Sequence, residues 1–171
     1  MAKRKRRGFK DLKPTTGLVK NALFNILGNI EGINFLDLFA GTGQIGLEAE
    51  KRGARPTFVE IHRKRAEDIR RKTSGVVVVG DALKVLPRLG TFEIIFADPP
   101  YDYSKYKELL RLASEHLVPG GLLIVEHFKK VDLKPISPPG LRLEDERTYG
   151  DTVLSFFRKG EEDFIGTPFV G

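Results

Sequence analysis

Short apolar runs separated by segments of helical spacing limit this chain to one class of fold. Residues 33–39, 56–60, Val76–Val79, Phe92–Ala97 and 121–127 are apolar and of strand length, while 44–52, 62–72, 82–89 and 104–116 between them carry amphipathic or helix-favouring patterns. A helix between successive strands forces a crossover, so the strands must run parallel. The pattern changes after Pro135: a turn-rich stretch leads into 141–148 and 152–158, which flank Tyr149, Gly150 and Asp151 and read as an antiparallel hairpin. A further amphipathic helix, 18–27, precedes the first strand with Val19, Ala22, Leu23, Ile26 and Leu27 on one face and Gly28 as its stop. The expected fold is α/β, a mostly parallel seven-stranded sheet closed by a C-terminal antiparallel hairpin, with helices on both faces.

The length, 171 residues, suits one domain. We expect a basic arm over 1–13, the folded domain over 14–160 and a tail over 161–171. A hydrophobic share of 40% supplies a core. There are no cysteines, and His62, His116 and His127 are scattered, so neither a disulfide framework nor a metal centre is expected. No apolar run reaches the roughly 18 residues that span a bilayer, and no apolar segment follows the basic start, so a cytoplasmic monomer without a membrane partner is the expectation. The net charge of +6 resides in the arm, where Lys3, Arg4, Lys5, Arg6, Arg7, Lys10 and Lys13 face only Asp11. Such a segment suits phosphate-backbone contact with counterion release, so these seven residues are the candidate RNA-binding set.

The first motif spans 37–46, Asp-Leu-Phe-Ala-Gly-Thr-Gly-Gln-Ile-Gly, where a strand ends, a glycine turn follows and a helix starts. Gly41, Gly43 and Gly46 satisfy the dinucleotide pattern, but Asp37 puts a negative charge where a pyrophosphate would need the opposite. A cationic ligand fits better. S-adenosylmethionine carries an ammonium and a sulfonium, so Asp37 can pair with it while Gly41 and Gly43 admit it close to the backbone. Glu60 ends the next strand about 20 residues on, where a carboxylate accepts ribose hydroxyls in nicotinamide and S-adenosylmethionine enzymes alike. Asp81 ends the third strand. It can cap the following helix and also accept an adenine amino group, with the Ala82 amide offered to a ring nitrogen.

The motif that selects a chemistry is Asp98-Pro99-Pro100-Tyr101, directly after an apolar strand. Two prolines hold the chain in a rigid extended turn. An exocyclic base amine is a poor nucleophile because its lone pair is delocalised into the ring. Asp98 and the Pro99 carbonyl can accept its two N–H groups and favour the developing positive charge, while Tyr101 stacks on the base. These four are the candidate catalytic residues, with Asp98 also at the edge of the cofactor site.

With these motifs the sequence resembles the Rossmann-like amino-methyltransferases, and more narrowly the RsmD family of bacterial 16S ribosomal RNA guanine-N2 methyltransferases. The resemblance covers nearly the whole chain and rests on 13–16, Lys-Pro-Thr-Thr, before the helix with 21–27, on 36–43, on Asp98 to Tyr101, and on 147–152, Arg-Thr-Tyr-Gly-Asp-Thr. It implies methyl transfer from S-adenosylmethionine to guanine N2 in 16S ribosomal RNA or an assembling small subunit, with S-adenosylhomocysteine as product and no metal. It also implies cofactor contacts from Asp37, Gly41, Glu60, Asp81 and Ala82, with Thr15 or Thr16 nearby. The chain departs from the family at Lys13, where arginine is usual, and at Gly17, Leu18 and Lys20, positions that bear on substrate docking. A DNA adenine-N6 or other RNA base methyltransferase shares the same pocket logic. An NAD-dependent oxidoreductase would use the glycine turn and Glu60 but leaves Asp98 to Tyr101 without a role.

Overall fold

The computed structural model describes residues 15–161. The arm residues 1–13, and so Lys3, Arg4, Lys5, Arg6, Arg7, Lys10 and Lys13, lie outside it, as does most of the tail. Helix α1 (Gly17–Leu27) starts at Thr16, whose hydroxyl accepts the Val19 amide at 3.2 Å, and ends at Gly28, which takes the left-handed φ of 69°. Its buried side is Val19, Leu23 and Phe24, with Ile26 turned outward. Phe24 is the residue that the spacing argument passed over; its ring stacks on Phe35, 6.4 Å between centroids.

The chain then alternates β1 (Asn34–Leu38), α2 (Gln44–Lys51), β2 (Arg55–Glu60), α3 (Arg63–Arg70), β3 (Val76–Val79), α4 (Ala82–Val85), β4 (Phe92–Ala97), α5 (Tyr106–Glu115) and β5 (Leu117–Phe128). A 3-10 turn at Leu86–Arg88 follows α4, because Pro87 cannot continue an α-helix. The hairpin is β6 (Leu141–Tyr149) with β7 (Thr152–Lys159), turning through Gly150 at φ 63°. The seven strands of the described residues form one sheet in the order β3-β2-β1-β4-β5-β7-β6. Only β7 runs against its neighbours, inserted between β5 and β6. The expected mostly parallel sheet with an antiparallel hairpin is therefore present, and the fold is that of the Rossmann-like methyltransferases.

Strand alternation divides the core in two. Phe35, Ile94, Phe96, Ile124 and Phe156 face α1 and α2, whereas Leu36, Ile95, Leu123, Val125 and Phe157 face α4 and α5. Strand β5 is longer than its apolar run suggests. It begins at Leu117 and passes through Pro119, Gly120 and Gly121 as an irregularity, with the register against β4 shifting between Phe92 and Ile94. No helix among the described residues is long and apolar enough to cross a membrane.

The registers Leu38↔Val59, Leu38↔Ala97 and Ala97↔Val125 bring the carboxyl ends of β1, β2, β4 and β5 level. The strand order reverses between β1 and β4, and open α/β sheets bind ligands at that switch point. The glycine turn follows β1, and the Asp98 to Tyr101 turn follows β4, so the two motifs flank it.

Candidate active site

At this edge the backbone leaves β1 through Phe39, whose φ of 58° is unusual for a residue with a large side chain. Gly41 and Gly43 follow with φ of 60° and 82°. Gly46 answers a different need. A Cβ there would lie 2.3 Å from the Phe58 ring, so only glycine lets α2 approach β2 this closely.

The carboxylates of the first two strands hold that turn in shape. Asp37 Oδ2 accepts the Gly46 amide at 2.9 Å, pinning the first turn of α2. Glu60 accepts the Gly41 amide with Oε1 at 2.7 Å and the His62 amide with Oε2 at 2.9 Å; the His62 ring lies 3.0 Å away and the Arg65 guanidinium 3.8 Å. Asp37 Oδ2 and Glu60 Oε1 each accept one amide and so keep a further lone pair for a ligand. Asp37 is buried with 1% of its surface exposed, and burial raises its pKa well above the usual carboxylate range. The Gly46 amide opposes that rise, and the charges of Glu60 and Glu126 reinforce it.

Asp37 and Glu60 line a cavity of about 530 Å³ together with Thr15, Gly41, Asp81, Ala82, Asp98, Pro99, Pro100 and Tyr101. Two expected residues stand apart: Thr16 caps α1, and Gly43 lies against Ile69 behind the turn. Thr15 is the threonine in the cavity, its hydroxyl donating to Glu126 Oε1 at 2.8 Å and its carbonyl accepting from the Gln44 side chain at 2.8 Å. Asp81 caps α4 through the Lys84 amide at 3.2 Å while still lining the cavity, so capping and ligand contact are compatible.

Near Asp81, the Tyr103 hydroxyl is buried without a hydrogen-bond partner among the described residues. Burial, with the Asp81 charge second, pushes this phenol far up. A buried donor left over beside Asp81 and Ala82 suits a heteroaromatic ligand with ring nitrogens. The buried carboxylates at the other end suit a cationic group. The adenosyl and amino-acid portions of S-adenosylmethionine supply both, so the residues present fit that cofactor.

After β4 the turn exposes Tyr101, half of whose surface is open to solvent at 54%, above a buried Pro99. Tyr101 meets Phe128 at 5.3 Å, and the Lys130 ammonium sits 6.0 Å from the Phe128 ring centre. Beneath them, burial and then the nearby Asp98 charge push the Tyr106 phenol up to about 12. The hairpin turn contributes Asp151 and Thr152 to the same rim.

Sequence motifs marked neither Tyr103 and Tyr106 nor three residues at the end of β5, Glu126, His127 and Phe128. Glu126 and His127 are buried, and all three line the cavity. A signal existed, since two ionisable residues closing an otherwise apolar strand sit where such sheets place ligand contacts.

A parallel sheet with an added antiparallel strand, a glycine turn after β1 and an Asp-Pro-Pro-Tyr turn after β4 together define the methyltransferase class of Rossmann-like folds. Residues 4–158 match the model of the family described as "Conserved hypothetical protein 95", and the chain belongs to that family. It is similar to a candidate rRNA methyltransferase of Bacillus subtilis, YlbH, with 34% identity over 86% of this chain and 88% of the relative. It is similar also to ribosomal RNA small subunit methyltransferase D of Escherichia coli, with 31% identity over 89% of this chain and 83% of the relative. Among solved structures, the Escherichia coli candidate methyltransferase yhhF superposes with a TM-score of 0.78 at 28% identity, covering 88% of this chain and 90% of that one.

Proposed function

We propose that the protein uses S-adenosylmethionine to methylate an exocyclic amine of a base in ribosomal RNA, with guanine N2 in 16S RNA, free or in an assembling small subunit, as the target. The observation that carries this reading is the opening of the Asp98 to Tyr101 turn onto the same cavity as Asp37, Glu60 and Asp81. The names of the two relatives point to the same RNA class. S-adenosylhomocysteine is then the product, and no metal takes part. The protein works as a monomer in the cytoplasm, where ribosomal subunits are built.

The cofactor supplies an electrophilic methyl group on sulfur. Asp37 faces the cationic amino-acid end, Glu60 accepts from the ribose, and Asp81 with the Ala82 amide reads the adenine. Thr15 and Gly41 close the wall. At the base, the Asp98 carboxylate and Pro99 carbonyl accept the amine N–H groups and so stabilise positive charge as it grows on nitrogen. Pro100 holds the turn rigid and Tyr101 stacks on the ring. A base must leave its helix to reach this cavity, and the exposed ring of Tyr101 supplies the stacking it loses. The cations of residues 1–13 contact phosphates.

A dinucleotide suits the cavity less well, because its pyrophosphate would meet the carboxylates of Asp37, Glu60 and Glu126. The decisive experiment supplies tritiated S-adenosylmethionine with unmodified ribosomal RNA, small subunits or DNA. Label in RNA, recovered as N2-methylguanosine after nuclease digestion, is expected. Label confined to DNA adenine, or NAD binding in place of S-adenosylhomocysteine binding, would overturn the assignment.

A further inference from the structure

His127 sits in a buried chain of polar contacts that the chemistry above does not use. Its Nδ1 lies 3.0 Å from the Phe128 carbonyl oxygen, and its Nε2 lies 2.7 Å from Ser155 Oγ. Ser155, completely buried in β7, donates in turn to Glu146 Oε2 at 3.1 Å, on the exposed strand β6. The chain thus runs from the cavity wall to solvent, and its inner end shares with the Val131 amide, 3.0 Å away, the carbonyl of the residue whose ring supports Tyr101.

We propose that Phe128 extends the Tyr101 platform for the target base, and that Glu146, through Ser155 and His127, positions it by controlling the hydrogen bond to its carbonyl. This rests on the base-methylation reading of the site.

Three hydrogen bonds need three hydrogens, yet a neutral imidazole and a serine hydroxyl carry only two between them. A protonated His127 satisfies all three at once, giving to Phe128 and Ser155 while Ser155 gives to Glu146. A neutral ring must surrender one of them. Because a carboxylate is the stronger acceptor, Glu146 keeps the serine hydrogen; the ring hydrogen then goes to Nε2, whose 2.7 Å contact with Ser155 would be more repulsive without one than the 3.0 Å contact at Nδ1, and a bare Nδ1 is left facing the Phe128 carbonyl. The grip on Phe128 therefore loosens as His127 loses its proton.

The groups facing His127 set where this happens. Burial lowers its pKa from the ordinary 6.5, opposed by the Phe128 carbonyl and by the charges of Glu146 on β6 and Asp132 in the loop after β5. From α5 the Tyr106 ring meets the imidazole edge-on at 6.4 Å.

Glu146→Gln separates this device from ordinary surface charge. Its amide can donate to Ser155 Oγ, which frees the serine hydrogen for Nε2 and leaves the neutral ring's hydrogen on Nδ1, locked to Phe128. Glu144→Gln is the matched control, since Glu144 is a nearby β6 carboxylate paired with Arg158 instead. The probe is a short single-stranded RNA carrying 2-aminopurine, whose fluorescence is quenched on stacking, titrated across the His127 midpoint as read from its imidazole carbon resonance. Wild type and Glu144→Gln should lose about fivefold in affinity above the midpoint, the worth of one ordinary hydrogen bond. Glu146→Gln should stay at the tighter level throughout. Phe128→Leu should lose most of the quench, and Glu146→Gln and Glu144→Gln should bind S-adenosylhomocysteine as wild type does. A Glu146→Gln profile that follows wild type, or a full quench with Phe128→Leu, refutes the positioning role alone. If wild type binds S-adenosylhomocysteine but quenches the probe at no pH, the base-methylation reading falls and the positioning role with it.

Discussion

Replacing Asp37 with asparagine should make the protein more stable and its cofactor site weaker. Asparagine keeps the shape of the side chain, and its carbonyl can still accept the Gly46 amide at the 2.9 Å now spanned by Oδ2. What disappears is a charge that is costly to hold: burial, and then Glu60 and Glu126, raise the Asp37 pKa. A carboxyl whose folded pKa lies above its unfolded value of 3.8 contributes stability that is complete below 3.8 and is lost as pH rises through the folded value. The melting temperature of Asp37→Asn should therefore exceed that of wild type by a margin that widens from acid toward neutral pH. The opposite sign holds for the ligand. Losing a charge-assisted bond of about 1.5–3 kcal/mol to the cofactor ammonium should weaken binding roughly ten- to hundredfold. Calorimetry in buffers of different ionisation enthalpy adds a further check, because wild type should release protons as Asp37 ionises against the bound cation, whereas the asparagine variant should not. An asparagine variant less stable than wild type near neutral pH, or one that binds S-adenosylhomocysteine equally well, would refute the reasoning.

Asp98→Ala should lower turnover by about a hundredfold or more with little change in S-adenosylhomocysteine affinity, since it removes an interaction that strengthens in the transition state; single-turnover kinetics with labelled cofactor measure this. Gly46→Ala places a methyl group 2.3 Å from the Phe58 ring and should cost about 1–3 kcal/mol in urea unfolding. Deleting residues 1–13 should leave cofactor binding intact and reduce the log–log salt slope of RNA binding by roughly 0.7–0.9 for each phosphate that the arm neutralises; an unchanged slope would move recognition to the folded body, with Arg63, Lys64 and Lys72 as the first residues to test.

The strands were legible because a strand covered on both faces must be apolar where it is covered, as at Ile94 to Ala97. Their order was harder to read. Nothing local in 152–158 says that β7 enters between β5 and β6, because that choice depends on which edge remains unpaired once β5 has formed. The same dependence concealed part of the site. Glu126 and His127 look like a strand leaving the core, and they are buried because Leu154 and Val153 of β7 pair beside them and α5 covers the histidine. Glu60 was legible as a strand-end carboxylate, but not its hold on the Gly41 and His62 amides, which arises only where β1 and β2 finish side by side. The glycine turn and Asp98 to Tyr101 could be read directly, because their backbone demands need particular residue types wherever they occur.

The insertion of β7 also bears on how the molecule comes into being on the ribosome. The cavity wall is drawn from Thr15 through Thr152, and β6, made before β7, has no neighbour in the sheet until β7 arrives. A nascent chain that has emerged only as far as the hairpin turn presents an exposed β5 edge, with Glu126 and His127 still open to water. Competence to hold the cofactor should therefore appear in one step as β7 clears the exit tunnel, so that an unfinished copy does not sequester it.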